Sequence, residues 1–541
     1  MALDEHKAVV RGTAWGMAGN IFFKVISFVY LMLSTRLFSQ QDIGTFYLGL
    51  GFISILGIFG DLGLFAAFTR FIPYYMGKGE KKKAYALLRG AYWFVTFFSL
   101  LMAMLILIGA PYLAESTANP GLKIVMWALA FFVLANSLLN LNSYSLLSMK
   151  NVKMQVLLSN SQHALKLVLT VLLFVFIGSN VLSLTAAYTA SFVLAAVLSF
   201  WYVKRMIDES GIASDVTVKD QIEALKEAVP FGAVLSVITA MWIIISSSDR
   251  IILGYMIDPS HAADIIAVYA LATTLGGVVS IFPAALGNIF LPIISELYAK
   301  GKKKEMLESS MFATRWVLIL MVPAAMLLIS LPKEILVLFY GSAYAPGALV
   351  LSIFTIGVFL RTASTVHSSI LAAMRLVKIE LGIVLFGAVL NVILNVMLIP
   401  GYGMEGAAFA SAIALTSVSL LLFYYCRKFA GGTFLAGSVR PFLAALLALG
   451  AFFLLKDYSA ILFGLSIPLP AAILSNQIYQ KVWQFGVLGV LFLVCCAIYF
   501  VFLSLLRAFG KEDIELLRSA FRRVGMKDSH MEIVWMLMRS E

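Results

Sequence analysis

Apolar runs of about twenty residues or more recur along the whole chain, and nothing else limits its fold so strongly. They fall at 13–37, 43–72, 85–110, 122–147, 155–178, 182–203, 229–256, 265–294, 309–331, 347–373, 379–399, 404–426, 439–456 and 483–507. A helix that crosses the hydrocarbon layer needs about 20 mostly apolar residues. Only helices or closed barrels satisfy the backbone there, and these runs lack the alternation of barrel strands. The expected fold is therefore all-α: a polytopic membrane protein with fourteen transmembrane helices. Composition agrees, since 61% of the 541 residues are hydrophobic and 13% are charged. A soluble domain carries roughly 25% charged residues. A secreted enzyme, a nucleic-acid-binding protein and a disordered chain are excluded on that ground. The first run follows His6, Lys7 and Arg11 and is too long for the apolar part of a cleaved leader, so it reads as the first span. The segment 458–474, broken by Pro468 and Pro470, reads as a loop or re-entrant piece.

The net charge of +12 then reports orientation. With fourteen spans both termini lie on one side. The loops and ends of that side hold 29 Lys and Arg, against 5 on the other: Arg36, Lys123, Lys333, Lys456 and Lys481. The positive-inside rule places both termini in the cytoplasm.

An internal repeat divides the spans. GTFYLGLGFISILGIFGDLGLFAAFTRFIPYYMGKGEKKK (44–83) aligns with IAVYALATTLGGVVSIFPAALGNIFLPIISELYAKGKKKE (266–305). Tyr47 meets Tyr269, Lys78-Gly79 meets Lys300-Gly301, and Lys81-Lys82 meets Lys303-Lys304. Helices six apart run the same way, so the expectation is two pseudo-symmetric six-helix bundles plus a C-terminal helix pair, with a site between the bundles. The expected boundaries are 1–203 for the first bundle, 204–228 for a cytoplasmic linker, 229–430 for the second bundle, 431–507 for helices 13 and 14, and 508–541 for a cytoplasmic tail. In that tail Ile514, Leu517, Phe521 and Val524 lie beside Arg518, Arg522 and Arg523, the pattern of an amphipathic helix on an anionic membrane surface.

Six cations remain inside the spans: Lys24, Arg70, Lys166, Arg250, Arg315 and Arg361. Arg70 and Arg315 lie near cytoplasmic helix ends, where they can snorkel to the headgroups. Lys24, Lys166 and Arg361 lie near mid-span, where a charge costs several kcal/mol unless it faces a wet cavity or a partner. Each sits on the small, polar side of its helix: Gly12, Gly16, Asn20 and Ser27 near Lys24; Ser159, His163 and Thr170 with Lys166; Ser236, Thr239 and Ser247 with Arg250; Gly357, Ser364 and Ser368 with Arg361. The deep acids are Asp61 and Asp249, candidates for coupling or for an ion pair. Asp249 faces away from the Arg250 stripe. Lys24, Lys166, Arg250 and Arg361 are the candidate substrate ligands. Surplus positive charge suits an anionic head such as a phosphate or pyrophosphate, whereas a cavity for cationic drugs needs the opposite surplus.

No nucleotide-binding loop, HExxH or GxSxG stands in a sensible context, and the outer loops carry no paired acids, so no enzyme is expected. Cys426, Cys495 and Cys496 lie in apolar runs without metal or disulfide spacing. No cofactor and no metal are expected.

NVILNVMLIPGYGMEGAAFASAIA (391–414) resembles the signature of polysaccharide flippases in the multidrug/oligosaccharidyl-lipid/polysaccharide (MOP) exporter superfamily. Asn391, Asn395, Ile399, Pro400, Tyr402, Gly403, Gly406, Ala407 and Ala408 carry the match. RGTAWG (11–16), TRLFSQQDIGTFYLGL (35–50), DRIILGYMI (249–257) and FGKEDIELLR (509–518) are similar to the same family. The resemblance implies two six-helix bundles, alternating access, and a polyprenyl-phosphate- or pyrophosphate-linked oligosaccharide as cargo in the cytoplasmic membrane, for glycan or polysaccharide assembly. It also implies membrane lipids as partners, glycosyltransferases or a polymerase of the same pathway as neighbours, and a monomeric transporter. Two rivals stay open: a cation-coupled multidrug exporter of the same superfamily, and a membrane polymerase or glycosyltransferase.

Overall fold

The computed structural model describes residues 19, 22–60, 63–149, 151–209, 216–281, 290, 293–431, 434–454, 477–509 and 513. Among these there is no strand. The helices are α1 (22–37), α2 (Gln40–Leu56), α3 (Leu64–Gly77), α4 (Lys81–Ser116), α5 (Pro120–Ser148), α6 (Val152–Ile177), α7 (Val181–Glu209), α8 (Val218–Met256) and α9 (Pro259–Gly276). After them come α10 (Lys303–Ser330), α11 (Pro332–Tyr340), α12 (Ala348–Ala363), α13 (Thr365–Ala373), α14 (Val377–Ala430), α15 (Phe434–Leu454) and α16 (Gln477–Leu505). Eleven helices among the described residues are long and apolar enough to cross a membrane. One of them, α14, has 54 residues and is kinked at Gly403 (φ 55°, ψ −132°), so it covers two of the expected runs, 379–399 and 404–426. The expected loop 458–474 and the tail beyond Asp513 lie outside the described residues.

Lipid contact explains the surfaces. On α4 Trp93, Phe97, Met104 and Ile108 form a stripe, each more than half exposed. Water would penalise that stripe; hydrocarbon does not. Polar side chains are instead turned inward. Asn142, fully buried on α5, accepts from the Tyr92 hydroxyl of α4 and donates to Ser199 Oγ of α7 at 2.9 Å. Hydrogen bonds of this kind hold helices together where the hydrophobic effect cannot.

Several expected boundaries shift. The run 43–72 is not one helix: α2 tightens into a 3-10 turn at Gly57–Gly60, and α3 begins after Gly63. The run 265–294 starts earlier, at Pro259, and tightens into a 3-10 turn at Gly277–Ser280. The run 347–373 breaks at Ser364, and the loop after 331 carries α11. The polar stretch 204–228 is largely helical where described, because α7 reaches Glu209 and α8 starts at Val218 behind a Thr217–Asp220 capping box. Polarity marked the end of the lipid layer there rather than the end of the helix.

The repeat reappears in the backbone. Gly79 (φ 77°) and Gly301 (φ 71°) both adopt the left-handed conformation that ends a helix with glycine. Gly79 N donates to Met76 O and Glu80 N to Tyr75 O; Gly301 N donates to Tyr298 O and Lys302 N to Leu297 O. The bonds match at the offset of 222 residues seen in the sequence.

The chain separates into two compact units. The first comprises residues 1–270 and 388–407; the second comprises 271–387 and 408–541.

Candidate functional site

An open cavity of about 520 Å³ lies in the first unit. Four helices wall it, α3 through Phe65. α2 contributes Ile53 and Ser54, α5 contributes Asn136, Ser137, Asn140 and Tyr144, and α8 contributes Ser236, Thr239, Ser246, Ser247 and Arg250. The face of α8 read from the sequence as polar is therefore a cavity wall. Gly63 shapes the floor: a Cβ built there would stand 2.0 Å from the Gly232 carbonyl oxygen, and its φ of 74° is strained for any side chain. Only glycine lets α8 come this close to the turn between α2 and α3.

Among the described lining residues Arg250 is the one cation, and none is acidic. One of its guanidinium nitrogens donates to Ser246 O at 2.9 Å, and the group lies 6.0 Å from the Tyr47 ring centroid. Among the described residues nothing else accepts from its remaining donors, which can serve a ligand.

Asp249, the neighbour of Arg250, is 2% exposed. It accepts from the Tyr269 hydroxyl of α9 and from Asn395 Nδ2 of α14 at 2.6 Å. Ser248 Oγ donates to Asn391 Oδ1 at 2.8 Å, and Asn395 Nδ2 also reaches Asn391 Oδ1 at 3.2 Å. Asn391 and Asn395 are fully buried. Adjacent residues on a helix point about 100° apart, so α8 sends a cation to the cavity and an anion into a polar core. Tyr47 and Tyr269, equivalent in the repeat, serve the two sides.

The other expected ligands do not line this cavity. Lys166 is 6% exposed and lies 4.4 Å from the Tyr30 ring centroid and 5.3 Å from that of Tyr188, an aromatic box that stabilises an ammonium by cation–π attraction. Lys24 on α1 is exposed. Arg361 belongs to the second unit, on the last turn of α12, and feels the attraction of the Glu380 carboxylate. Its polar face packs helices: a Cβ on Gly357 would stand 2.6 Å from Ala412 Cα, and Ser364 Oγ meets Ser419 Oγ at 3.2 Å. Asp61 lies outside the described residues. Arg70 is exposed near the Phe231 ring (4.4 Å), but Arg315 does not simply snorkel. It pairs with Asp513 at 2.9 Å, and Asp513 also accepts from Trp316 Nε1 at 2.9 Å.

Sequence reasoning missed Asn136, Asn140 and Tyr269 as site residues and used Asn391 and Asn395 only as signature letters. Asn at i and i+4 within an apolar run was the available signal, present at both 136/140 and 391/395.

Eleven long apolar helices among the described residues, with a polar cavity among them, define a polytopic membrane protein. The profile of the polysaccharide biosynthesis protein family matches residues 9–298, more than half of the chain, and the chain belongs to that family. The MatE profile matches residues 223–397. An uncharacterized membrane protein of Methanocaldococcus jannaschii is 24% identical over 446 residues, covering 79% of this chain and 85% of that one. The probable low-salt glycan biosynthesis flippase Agl15 of Haloferax volcanii is 24% identical over 181 residues, or 34% of this chain and 38% of that one. The lipid II flippase MurJ of Bacillus subtilis is 22% identical, covering 78% and 83%. Among solved structures, an inward closed lipid II flippase MurJ aligns with TM-score 0.62 at 16% identity, over 90% of this chain and 98% of that one. An inward-facing multidrug resistance MATE family transporter aligns with TM-score 0.61 at 16% identity, over 75% and 94%. The protein is thus a multi-pass membrane transporter of the MOP superfamily and not an enzyme.

Proposed function

We propose that the protein flips a polyprenyl-(pyro)phosphate-linked oligosaccharide across the cytoplasmic membrane by alternating access, loading its head group on the cytoplasmic side. The observation that carries this reading is the charge of the cavity: Arg250 is the one charged side chain among its described lining residues. A guanidinium with free donors binds a phosphate well. A cationic drug would meet it uncompensated. Sequestering the charged head in a polar cavity removes the main barrier to crossing, while the prenyl chain stays in lipid. The flippase names of the Haloferax and Bacillus relatives point the same way.

Asp249 is the coupling residue of this proposal. A buried carboxylate held by neutral donors is costly while charged, and binding of a proton or a cation relieves that cost. Both termini are placed in the cytoplasm by the charge bias, and the protein acts as a monomer beside the glycosyltransferases that build its cargo. Export of cationic drugs is the second reading, favoured by the fold shared with MATE transporters. Vesicles loaded with a fluorescent prenyl-pyrophosphate saccharide test the two. Flipping that is lost with Arg250→Ala supports the flippase. Efflux of cationic dyes without lipid flipping supports the exporter.

A further inference from the structure

We infer that the trough walled by α5 and α8 is a subsite for uncharged sugar rings, with Asn136 and Asn140 as its selective residues; this rests on the flippase reading. α5 carries three asparagines close together, and they differ in kind. Asn142 is fully buried and bonded to Tyr92 and Ser199. Asn136 and Asn140 face the cavity instead, and neither hydrogen-bonds to another described residue. Both are half-buried on the wall of the open cavity, so their carboxamides are presented to whatever fills it. One turn apart on the same wall, the two can hydrogen-bond together to a polar ligand in the trough. Each carboxamide offers donors and an acceptor together, the pattern that adjacent sugar hydroxyls complement.

The facing wall fits the same ligand. The Ser236, Thr239 and Ser246 hydroxyls donate back to carbonyls of their own helix, to Ala233 O, Leu235 O and Ile243 O. Their oxygen lone pairs remain as acceptors for hydroxyl donors. Phe65 and Tyr144, which also line the cavity, stack on each other at 5.6 Å and 7°, an aromatic pair whose outer ring face can take the C–H face of a pyranose. From Leu235 to Arg250 the α8 wall runs roughly 22 Å at 1.5 Å per residue, longer than one sugar ring. With Arg250 as the one charged group among the described lining residues, the trough seats a phosphate at one end and neutral rings along the rest.

The test uses the full-length protein in lipid nanodiscs. The probes are prenyl pyrophosphates bearing N-acetylglucosamine, glucose or mannose, and the same lipid without sugar. The expected result is that at least one sugar-bearing lipid binds the wild type at least tenfold more tightly than the sugar-free lipid. Asn136→Ala/Asn140→Ala should reduce that ratio to within about twofold of unity, while Arg250→Ala weakens every probe. If the double variant does not fold, Asn140→Gln and Asn140→Leu should lower the ratio separately, with Leu the more severe. Equal binding of sugar-bearing and sugar-free lipids by the wild type overturns the subsite, as does an undiminished ratio in the asparagine variants. The flippase reading survives either result if Arg250→Ala still weakens the pyrophosphate lipids. It fails if no prenyl pyrophosphate binds at all.

Discussion

Asp249 and Arg250 are neighbours in sequence that serve opposite sides of one helix. The carboxylate is buried among Tyr269 and Asn395, and the guanidinium lines the cavity beside Tyr47. Whatever fills one side therefore acts on the same turn of α8 as whatever fills the other. Reciprocal coupling of two ligands needs such a shared element. Arg250→Ala should weaken binding of a prenyl pyrophosphate by roughly 10- to 100-fold, the scale of a lost charge-assisted hydrogen bond. Arg250→Lys, which lacks the planar fork, should recover only part of it. Titration in nanodiscs checks both.

Asp249→Asn keeps the shape of the buried cluster and removes its charge. Substrate binding should persist, whereas the dependence of transport on an imposed proton or sodium gradient should disappear. Transport by this variant under each gradient, compared with wild type, checks the assignment. Retained gradient dependence would move the coupling elsewhere.

Gly63 and Gly232 set how closely α8 approaches the α2–α3 turn. Gly63→Ala would push a methyl into the Gly232 carbonyl at a positive φ, so it should destabilise the protein by about 2 kcal/mol or more. Gly109→Ala, whose Cβ would meet nothing within 4 Å, should be neutral or slightly stabilising. Thermal melting in one detergent compares the two.

Arg315 and Asp513 form a buried ion pair, with side chains 15% and 0% exposed. Breaking such a pair from one side typically costs about 3–5 kcal/mol. Asp513→Ala should therefore lower the melting temperature and expose the chain after α16 to proteolysis. A melting curve and limited trypsin digestion read both effects.

Asp220 titrates outside the spans. The Thr217 backbone amide, then its hydroxyl and Lys82, hold the carboxyl down to about 2. A depressed folded value means that this cap stabilises the native state above the usual carboxylate value of 3.8 and is lost as pH falls towards 2. The cap should remain intact from neutral pH to about pH 4. A carboxyl carbon NMR titration of Asp220 measures this.

The apolar runs were legible because a lipid-facing helix needs one nearly unbroken stretch, and composition alone marks it. Breaks within the stretches were not. Gly57–Gly60 and Gly277–Ser280 are mostly apolar like the residues around them, and their tightening follows from packing rather than composition. Helical phase found the polar faces but not what covers them. On α8 the face opens to a cavity; around Arg361 the same kind of face packs against α14 through Gly357 and Ser364. Asn136 and Asn142 look alike in sequence and differ only in whether a partner helix reaches them. The partner of Arg315 lies nearly two hundred positions away, beyond any local pattern.

The most direct test is flipping by the purified protein in vesicles that hold a labelled prenyl-pyrophosphate saccharide in one leaflet. Wild type should speed its transfer to the other leaflet, and Arg250→Ala should slow transfer at least tenfold while remaining folded. Transfer no faster than in protein-free vesicles, or transfer unaffected by Arg250→Ala, would contradict the proposed flippase activity.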